Sequence, residues 1–198
     1  MEMLGVIFAV KLKKSDNYLI PINDESVVKI VEARLRLAKR IDDVVVLVKK
    51  SQERKFSLHV ENVVPVTGNT KIDALLKGLP KSGDIFLVEG NMPLVMPFLI
   101  NYMTSIYYDE FLEALIPRFR ENVEVFHGVY NARALRNALE GMKADNISNL
   151  SKLPEYIDAE FLDVEELMRK NEKVKWSFFR VKTLDDIRTV LRSGLLRE

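Results

Sequence analysis

The sequence contains no cysteine, only two histidines (His59 and His127) and a single glutamine, Gln52. The absence of cysteine excludes disulfide bonds, thiolate metal sites and cysteine nucleophiles. Two histidines are too few for a cluster of several histidines around a metal ion. Charged residues make up 30% of the chain. Many charges combined with few thermolabile side chains are typical of proteins from thermophiles.

The charge balance gives no overall basis for binding a nucleic acid or an anionic membrane. The chain has 30 Lys and Arg against 29 Asp and Glu, which leaves a net charge of +1, whereas nucleic-acid-binding domains are usually basic. A length of 198 residues is enough for one domain with a full hydrophobic core. We therefore expect one domain over residues 1–198, as a monomer or a homodimer.

Long hydrophobic runs are also scarce. The apolar residues 3–10 are followed by lysines, whereas a secretory signal has its positive charges first. Residues 91–108 carry no charge, but they include Pro93, Pro97 and Asn101, and a membrane-spanning helix needs about 20 predominantly apolar residues. This segment is expected to be a loop followed by a buried helix. We expect a cytoplasmic protein without a membrane segment.

Short apolar strands alternate with helices along the first two-thirds of the chain. The apolar runs predict strands at residues 4–10, 44–48, 63–66, 84–88, 124–130 and 178–181. The hydrophobic spacing predicts helices at residues 27–41, 70–79, 98–107, 110–116, 132–141, 164–170 and 184–191. Strands joined through helices predict an α/β protein with three layers (α/β/α) and a mostly parallel, twisted sheet.

In such a sheet, ligands bind beyond the carboxyl ends of the strands. The segments to consider are therefore residues 11–18, 49–51, 67–70 and 89–93. They contain none of the standard signatures: the chain has no G-x-x-x-x-G-K-[ST], no G-x-G-x-x-G, no G-x-S-x-G and no H-E-x-x-H.

Three segments nevertheless form a recognisable series. The first strand leads into KLKKSDNYLIPI (residues 11–22), the fourth into LVEGNMPL (87–94), and the chain closes with FFRVKTLDDI (178–187). In order and spacing they resemble the motifs L-A-G-G-x-S-x-R-M-G-x-D-K-x-L-L, a-G-D-x-P and F-x-N-(I/V)-N-T-x-E-D-L of the molybdenum cofactor guanylyltransferases. More broadly, the chain is similar to nucleotidyltransferases with a Rossmann-like sheet of the nucleotide-diphospho-sugar-transferase type.

The resemblance implies a reaction and a set of site residues. The family transfers a nucleoside monophosphate, GMP from GTP, to a phosphorylated acceptor such as molybdopterin, with Mg²⁺ as cofactor. Carried over by motif, the implied catalytic residues are Lys11, Lys13, Lys14, Asp16 and Asn17. The implied metal ligands are Asn91 and Glu89, and the implied nucleotide or substrate contacts are Ala9, Val10, Thr67, Gly68, Asn69, Gly90, His127 and Lys182.

The chain departs from the motifs where the chemistry takes place. Its loop after the first strand has no glycine, so backbone amides are less able to approach a phosphate closely. Asn17 replaces a lysine and Asn91 replaces the aspartate that should hold Mg²⁺, although Glu89 or Asp16 could substitute for it. Two functions stay open: an active nucleotidyltransferase that uses GTP or another nucleotide, or a non-catalytic relative that binds a nucleotide or a protein. For His127 a buried structural role is the alternative to substrate contact.

Overall fold

The computed structural model describes residues 3–13 and 17–197. Its strands are β1 Met3–Ala9, β2 Pro21–Ile22, β3 Glu25–Ser26, β4 Ile41–Lys49, β5 Val63–Val66, β6 Asp84–Glu89, β7 Ala114–Phe119, β8 Asn122–Val123, β9 His127–Asn131 and β10 Ala159–Asp163. Its α-helices are α1 Val27–Arg36, α2 Glu53–Phe56, α3 Lys71–Gly78, α4 Pro97–Asp109, α5 Ala132–Ala144, α6 Val164–Lys170 and α7 Leu184–Ser193. Turns of 3₁₀ helix cover Lys50–Gln52, Leu150–Glu155, Glu172–Phe178 and Leu195–Arg197.

One large sheet has the strand order β10-β7-β9-β6-β1-β4-β5, with β8 paired to β7. β1 is parallel to both β4 and β6, β4 is parallel to β5, and β10 is parallel to β7. β9 runs antiparallel between β6 and β7. The predicted mostly parallel sheet is confirmed, with β9 and the short β8 as its reversed strands.

Helices cover both faces of this sheet. Side chains of β1 alternate between the faces: Ile7 lies in the core shared with α1 and α4, and Phe8 lies in the core shared with α3 and α5. Strands that are buried on both faces read as continuous apolar runs, which is why β1, β4 and β6 were recognisable in the sequence. The predicted three-layer α/β/α architecture is confirmed.

One predicted helix begins where it was expected, and another ends early. α3 begins as expected, because the Asp73 N–H donates to Thr70 Oγ1 over 3.0 Å and caps the first turn. α1 ends at Arg36, well short of the predicted residue 41. The chain turns after Leu37, which is 68% exposed, and Ile41 already begins β4.

Two predictions for the second half of the chain were wrong, and one strand was not predicted. Residues 110–116 are not a helix: Phe111 has a positive φ of 55°, and the apolar residues that follow form β7. Residues 178–181 form no strand of the sheet; the Val181 N–H donates instead to the Asn91 carbonyl oxygen over 2.8 Å. β10 lies in a segment whose pattern gave no clear prediction.

The uncharged segment at residues 91–108 forms a buried loop and then α4, as expected. Among residues 3–13 and 17–197, no helix combines the length and apolarity that crossing a membrane would need.

Candidate functional site

A cleft of about 710 Å³ opens at the carboxyl ends of β1 and β6. These two strand ends lie side by side, since Phe8 pairs with Glu89 and the Gly90 N–H donates to the Phe8 carbonyl oxygen over 2.8 Å. The cleft is lined by Leu12, Lys13, Asn69, Lys71, Glu89, Asn91, Ser148, Arg180 and Lys182. The loop after β1 and the turn after β6 therefore share one hollow, as the sequence predicted.

The cleft is cationic. Among the described residues, the lining carries four cations, Lys13, Lys71, Arg180 and Lys182, and one carboxylate, Glu89. A second carboxylate, Glu124, lies behind Arg180 and pairs with it. Lys71 is the first residue of α3, whose cap at Thr70 fixes where the helix begins. Arg180 and Lys182 lie on either side of Val181, whose backbone bond to Asn91 ties this segment to the turn after β6. Cations from three separate stretches of the chain thus surround the end of β6.

Four of the charges at this cleft form a continuous chain of ion pairs. Glu89 Oε1 accepts from Lys71 Nζ over 3.1 Å, and Glu89 Oε2 accepts from Arg180 Nε over 2.6 Å. Both terminal nitrogens of Arg180 donate to the two carboxylate oxygens of Glu124, each over 2.7 Å. Such a two-point contact between guanidinium and carboxylate fixes the orientation of Arg180.

These contacts determine the protonation states. Burial alone would raise the pKa of the Glu89 carboxyl, but the charges of Lys71 and Arg180 and the hydrogen bonds from both hold this pKa below its usual value. Burial would lower the pKa of Arg180, but the hydrogen bonds and charge of Glu124, together with Glu89, raise it. Glu89 and Arg180 are therefore both charged at neutral pH.

The described residues do not form a site that fits Mg²⁺. Both oxygens of Glu89 already accept from cations, and Asn91 offers only a neutral amide, whose Oδ1 is buried without a hydrogen-bond partner. Residues 3–13 and 17–197 contain no group of three or more His, Asp or Glu side chains able to hold a metal ion. Mg²⁺ prefers carboxylates that are free to coordinate it, so the magnesium expectation stays a prediction that depends on Asp16.

Of the lysines that were expected to act together, only Lys13 is described as lining the cleft. Lys11 and Lys13 share a neighbouring hollow of about 310 Å³ with Lys49 and Ser51. Lys11 also lines a smaller hollow with Asn17. Lys14 and Asp16 lie outside the described residues. The first-strand loop therefore brings Lys13 to Asn91, but not Lys11 or Asn17.

The turn after β5 contributes one side chain to the cleft. Asn69 lies in the lining, whereas Thr67 Oγ1 accepts from Lys77 Nζ over 2.8 Å. Gly68 has a φ of 155°, and a Cβ there would come within 2.8 Å of the Asp73 Cβ. Gly68 is thus required for the close approach of this turn to α3.

Ala9, Val10 and Gly90 are buried at the two strand ends. Val10 packs with the core beneath α3 and α5, so its side chain does not face a ligand. A Cβ at Gly90 would lie 3.1 Å from the Ala9 Cβ and 3.3 Å from the Tyr18 ring. The absence of a side chain at Gly90 therefore allows the two strand ends to pack closely.

His127 does not contact the cleft. Its side chain is 0% exposed, and its ring packs against Phe86 and Phe178. Its Nε2 lies 2.8 Å from Ser177 Oγ, which also accepts from the Met96 N–H over 2.9 Å. The substrate contact expected of His127 is therefore corrected to a structural role in the core.

Sequence reasoning missed Lys71, Glu124 and Ser148, and it identified Arg180 only as a departure from a motif. Lys71 could have been predicted, because it follows the capping residue Thr70 and therefore begins a helix at the carboxyl edge of the sheet. Glu124 had none, since its partner Arg180 is 56 positions away in the sequence.

Comparisons with known proteins agree with the motifs, although no family model matches the chain. A probable molybdenum cofactor guanylyltransferase of Thermococcus gammatolerans is 28% identical, over 93% of this chain and 97% of the relative. A protein of the same description from Pyrococcus furiosus is 29% identical, over 78% of this chain and 77% of the relative. The chain resembles the molybdenum cofactor guanylyltransferases. The resemblance expected from the motifs is therefore confirmed.

Solved structures share the fold. Molybdopterin-guanine dinucleotide biosynthesis protein A from Archaeoglobus fulgidus superposes with a TM-score of 0.76 and 18% identity, covering 98% of this chain and 100% of the other. The 4-diphosphocytidyl-2C-methyl-D-erythritol synthase of Anaerococcus prevotii superposes with a TM-score of 0.68 and 15% identity, covering 99% and 98%. The Rossmann-like sheet of the nucleotide-diphospho-sugar-transferase type is confirmed. The cleft is more positive than the guanylyltransferase motifs would make it. Asn91 stands where the motif has an aspartate, and Arg180 and Lys182 stand where it has asparagines.

Proposed function

We propose that this protein is a nucleotidyltransferase that transfers GMP from GTP to a phosphorylated acceptor such as molybdopterin. The observation that carries the proposal is the cationic cleft between the ends of β1 and β6. The four described cations outnumber the two carboxylates that pair with them, Glu89 and Glu124, and this excess of positive charge suits a polyphosphate. The volume of about 710 Å³ lies within the range of small-molecule sites. The relatives named as probable guanylyltransferases give the substrate class.

The reaction is an in-line displacement at phosphorus. An oxygen of the acceptor phosphate attacks the α-phosphorus of GTP and forms a new P–O bond. The bond from the α-phosphorus to the oxygen that bridges to the β-phosphorus breaks, and pyrophosphate leaves with that electron pair. The protein positions the two phosphates and neutralises the charge of the leaving group, and Lys13, Lys71 and Lys182 are the cations for that role. Asn69 offers an amide to the base.

The test is pyrophosphate release from labelled GTP with molybdopterin and Mg²⁺. We expect release that depends on the acceptor and that falls at least about tenfold in Lys182→Met, because a hydrogen bond to a charged group contributes about 1.5–3 kcal/mol. Lys81→Met is the matched control, since Lys81 precedes β6 and so lies at the opposite edge of the sheet. No pyrophosphate from the folded wild-type protein with GTP, ATP or CTP would overturn the proposal.

A second candidate is a non-catalytic relative that binds a nucleotide. Both oxygens of Glu89 are held by cations, and the neutral Asn91 follows it; these observations favour binding without metal-assisted transfer. Thermal unfolding with GTP, ATP and CTP separates the candidates, because a ligand at 100 times its Kd stabilises a protein by about 2.7 kcal/mol. Stabilisation without pyrophosphate release would favour the second candidate.

A further inference from the structure

We infer that the cleft binds the polyphosphate of its nucleotide through Lys71 and Arg180 without a divalent cation, and that Glu89 is the internal counterion of these two residues, not a metal ligand. The inference rests on the proposed nucleotide site and assigns the charges that hold its phosphates. It applies equally to the catalytic and to the non-catalytic candidate.

The contacts of Glu89 carry the first step. A carboxylate coordinates Mg²⁺ at about 2.0–2.1 Å, but Lys71 Nζ lies 3.1 Å from one oxygen of Glu89 and Arg180 Nε lies 2.6 Å from the other. A divalent cation at Glu89 would have to displace at least one of these groups and would then stand beside two positive charges. Glu89 is thus placed to orient cations of the protein.

The two cations keep donors for a ligand. Lys71 has three N–H donors and Arg180 has five, and three of the Arg180 donors reach Glu89 and Glu124. Both side chains line the cleft, and they are 40% and 24% exposed. Phosphate oxygens can therefore accept from both without breaking the existing ion pairs.

Both cations are also held in place before a ligand arrives. Arg180 donates two hydrogen bonds to the carboxylate of Glu124. The ammonium of Lys71 lies 4.5 Å from the centre of the Phe126 ring and 5.8 Å from that of Phe8, within the range of cation–π attraction. Groups that are fixed in the free protein lose little conformational entropy on binding. A preorganised pair of cations is what a metal-free polyphosphate site requires.

The test measures binding of inorganic tripolyphosphate and of GTP by calorimetry, with EDTA and with Mg²⁺. We expect both to bind in EDTA, with no more than about a twofold gain from Mg²⁺. Lys71→Met should weaken tripolyphosphate binding about tenfold, while Lys81→Met should leave it unchanged. Circular dichroism and thermal unfolding confirm that each variant is folded.

Glu89→Gln distinguishes the two roles of Glu89. As a counterion, its loss removes a negative charge from the cleft, so tripolyphosphate should bind at least about twofold more tightly in EDTA. As a metal ligand, its loss would weaken binding, and only in the presence of Mg²⁺. Binding that requires Mg²⁺, or binding by a folded Glu89→Gln protein that is weaker than wild type in Mg²⁺ but equal to it in EDTA, would overturn the inference.

The binding experiments test the inference separately from the proposed reaction. Tripolyphosphate binding in EDTA without any pyrophosphate release supports the inference and refutes catalysis. GTP turnover with binding only in Mg²⁺ supports catalysis and refutes the inference.

Discussion

The buried histidine makes the stability of the protein depend on pH in a way that one substitution can isolate. His127 is surrounded by Phe86, Phe178 and Ser177 and has no exposed surface. Burial lowers the pKa of His127 from 6.5 to about 3, and the charge of Arg180 adds to this lowering. The ring is therefore neutral in the folded protein at physiological pH.

The size of the effect follows from the two pKa values. Below pH 6.5 the unfolded chain binds a proton at His127 that the folded protein does not bind, so the free energy of unfolding decreases as pH falls. One pKa unit corresponds to about 1.4 kcal/mol. The loss is about 2 kcal/mol between pH 7 and pH 5, and it approaches about 5 kcal/mol near pH 3.

Urea unfolding at pH 7, 6 and 5 measures this loss. The wild-type protein should lose about 2 kcal/mol over the range, and His127→Gln, which keeps an amide near Ser177, should lose that much less. His59→Gln is the matched control, because it removes the other histidine and keeps His127. If wild type and His127→Gln lose stability in parallel, His127 is not held neutral by burial and the reasoning is refuted.

Three further predictions concern charges and caps. Arg180→Met should lower the free energy of unfolding at pH 7 by about 2 kcal/mol, because it leaves Glu89 and Glu124 without their shared cation. Glu89→Gln keeps the pair between Arg180 and Glu124 and should cost less, so equal destabilisation by the two variants would contradict this. In urea titrations, the difference in free energy of unfolding between wild type and Arg180→Met should shrink below pH 4. The lowered pKa of Glu89 adds stability above the usual pKa of a glutamate, and this stability is lost as Glu89 becomes protonated in the folded protein. Thr70→Ala should cost about 1 kcal/mol through loss of the α3 cap, whereas Thr70→Ser should cost much less in the same assay.

The central strands and the edge of the sheet that carries the cleft could be predicted because their signals are local. β1, β4 and β6 are buried on both faces and therefore appear as unbroken apolar runs. Once these strands are parallel, their carboxyl ends meet at one edge whatever the order of the remaining strands. This is why Lys13 and Asn91 could be placed together before the structure was known.

The outer strands could not be predicted because their stability comes from pairing. β7 contains Pro117 and Arg118 in an apolar run of ambiguous period, and a proline inside a run argues against a strand. β10 has one buried residue, Leu162, so it shows no alternation. Its partner is β7, which is distant in the sequence. Local sequence patterns cannot detect such a pairing.

The ion-pair chain at the cleft raises the question of whether it serves stability or binding. Buried ion pairs are weak evidence for stability, because desolvation offsets much of the attraction between the charges. Lys71, Glu89, Glu124 and Arg180 come from four separate stretches of sequence. Two of them, Lys71 and Arg180, line the open cleft as cations that keep further N–H donors. A chain built only to stabilise would gain more from apolar contacts of the same volume. The arrangement is better explained by the need to hold positive charge at the mouth of the proposed phosphate site. Among the described residues, Lys71 joins the other three charges through Glu89 alone, so it is the position at which the proposed binding can be altered with the smallest change in stability.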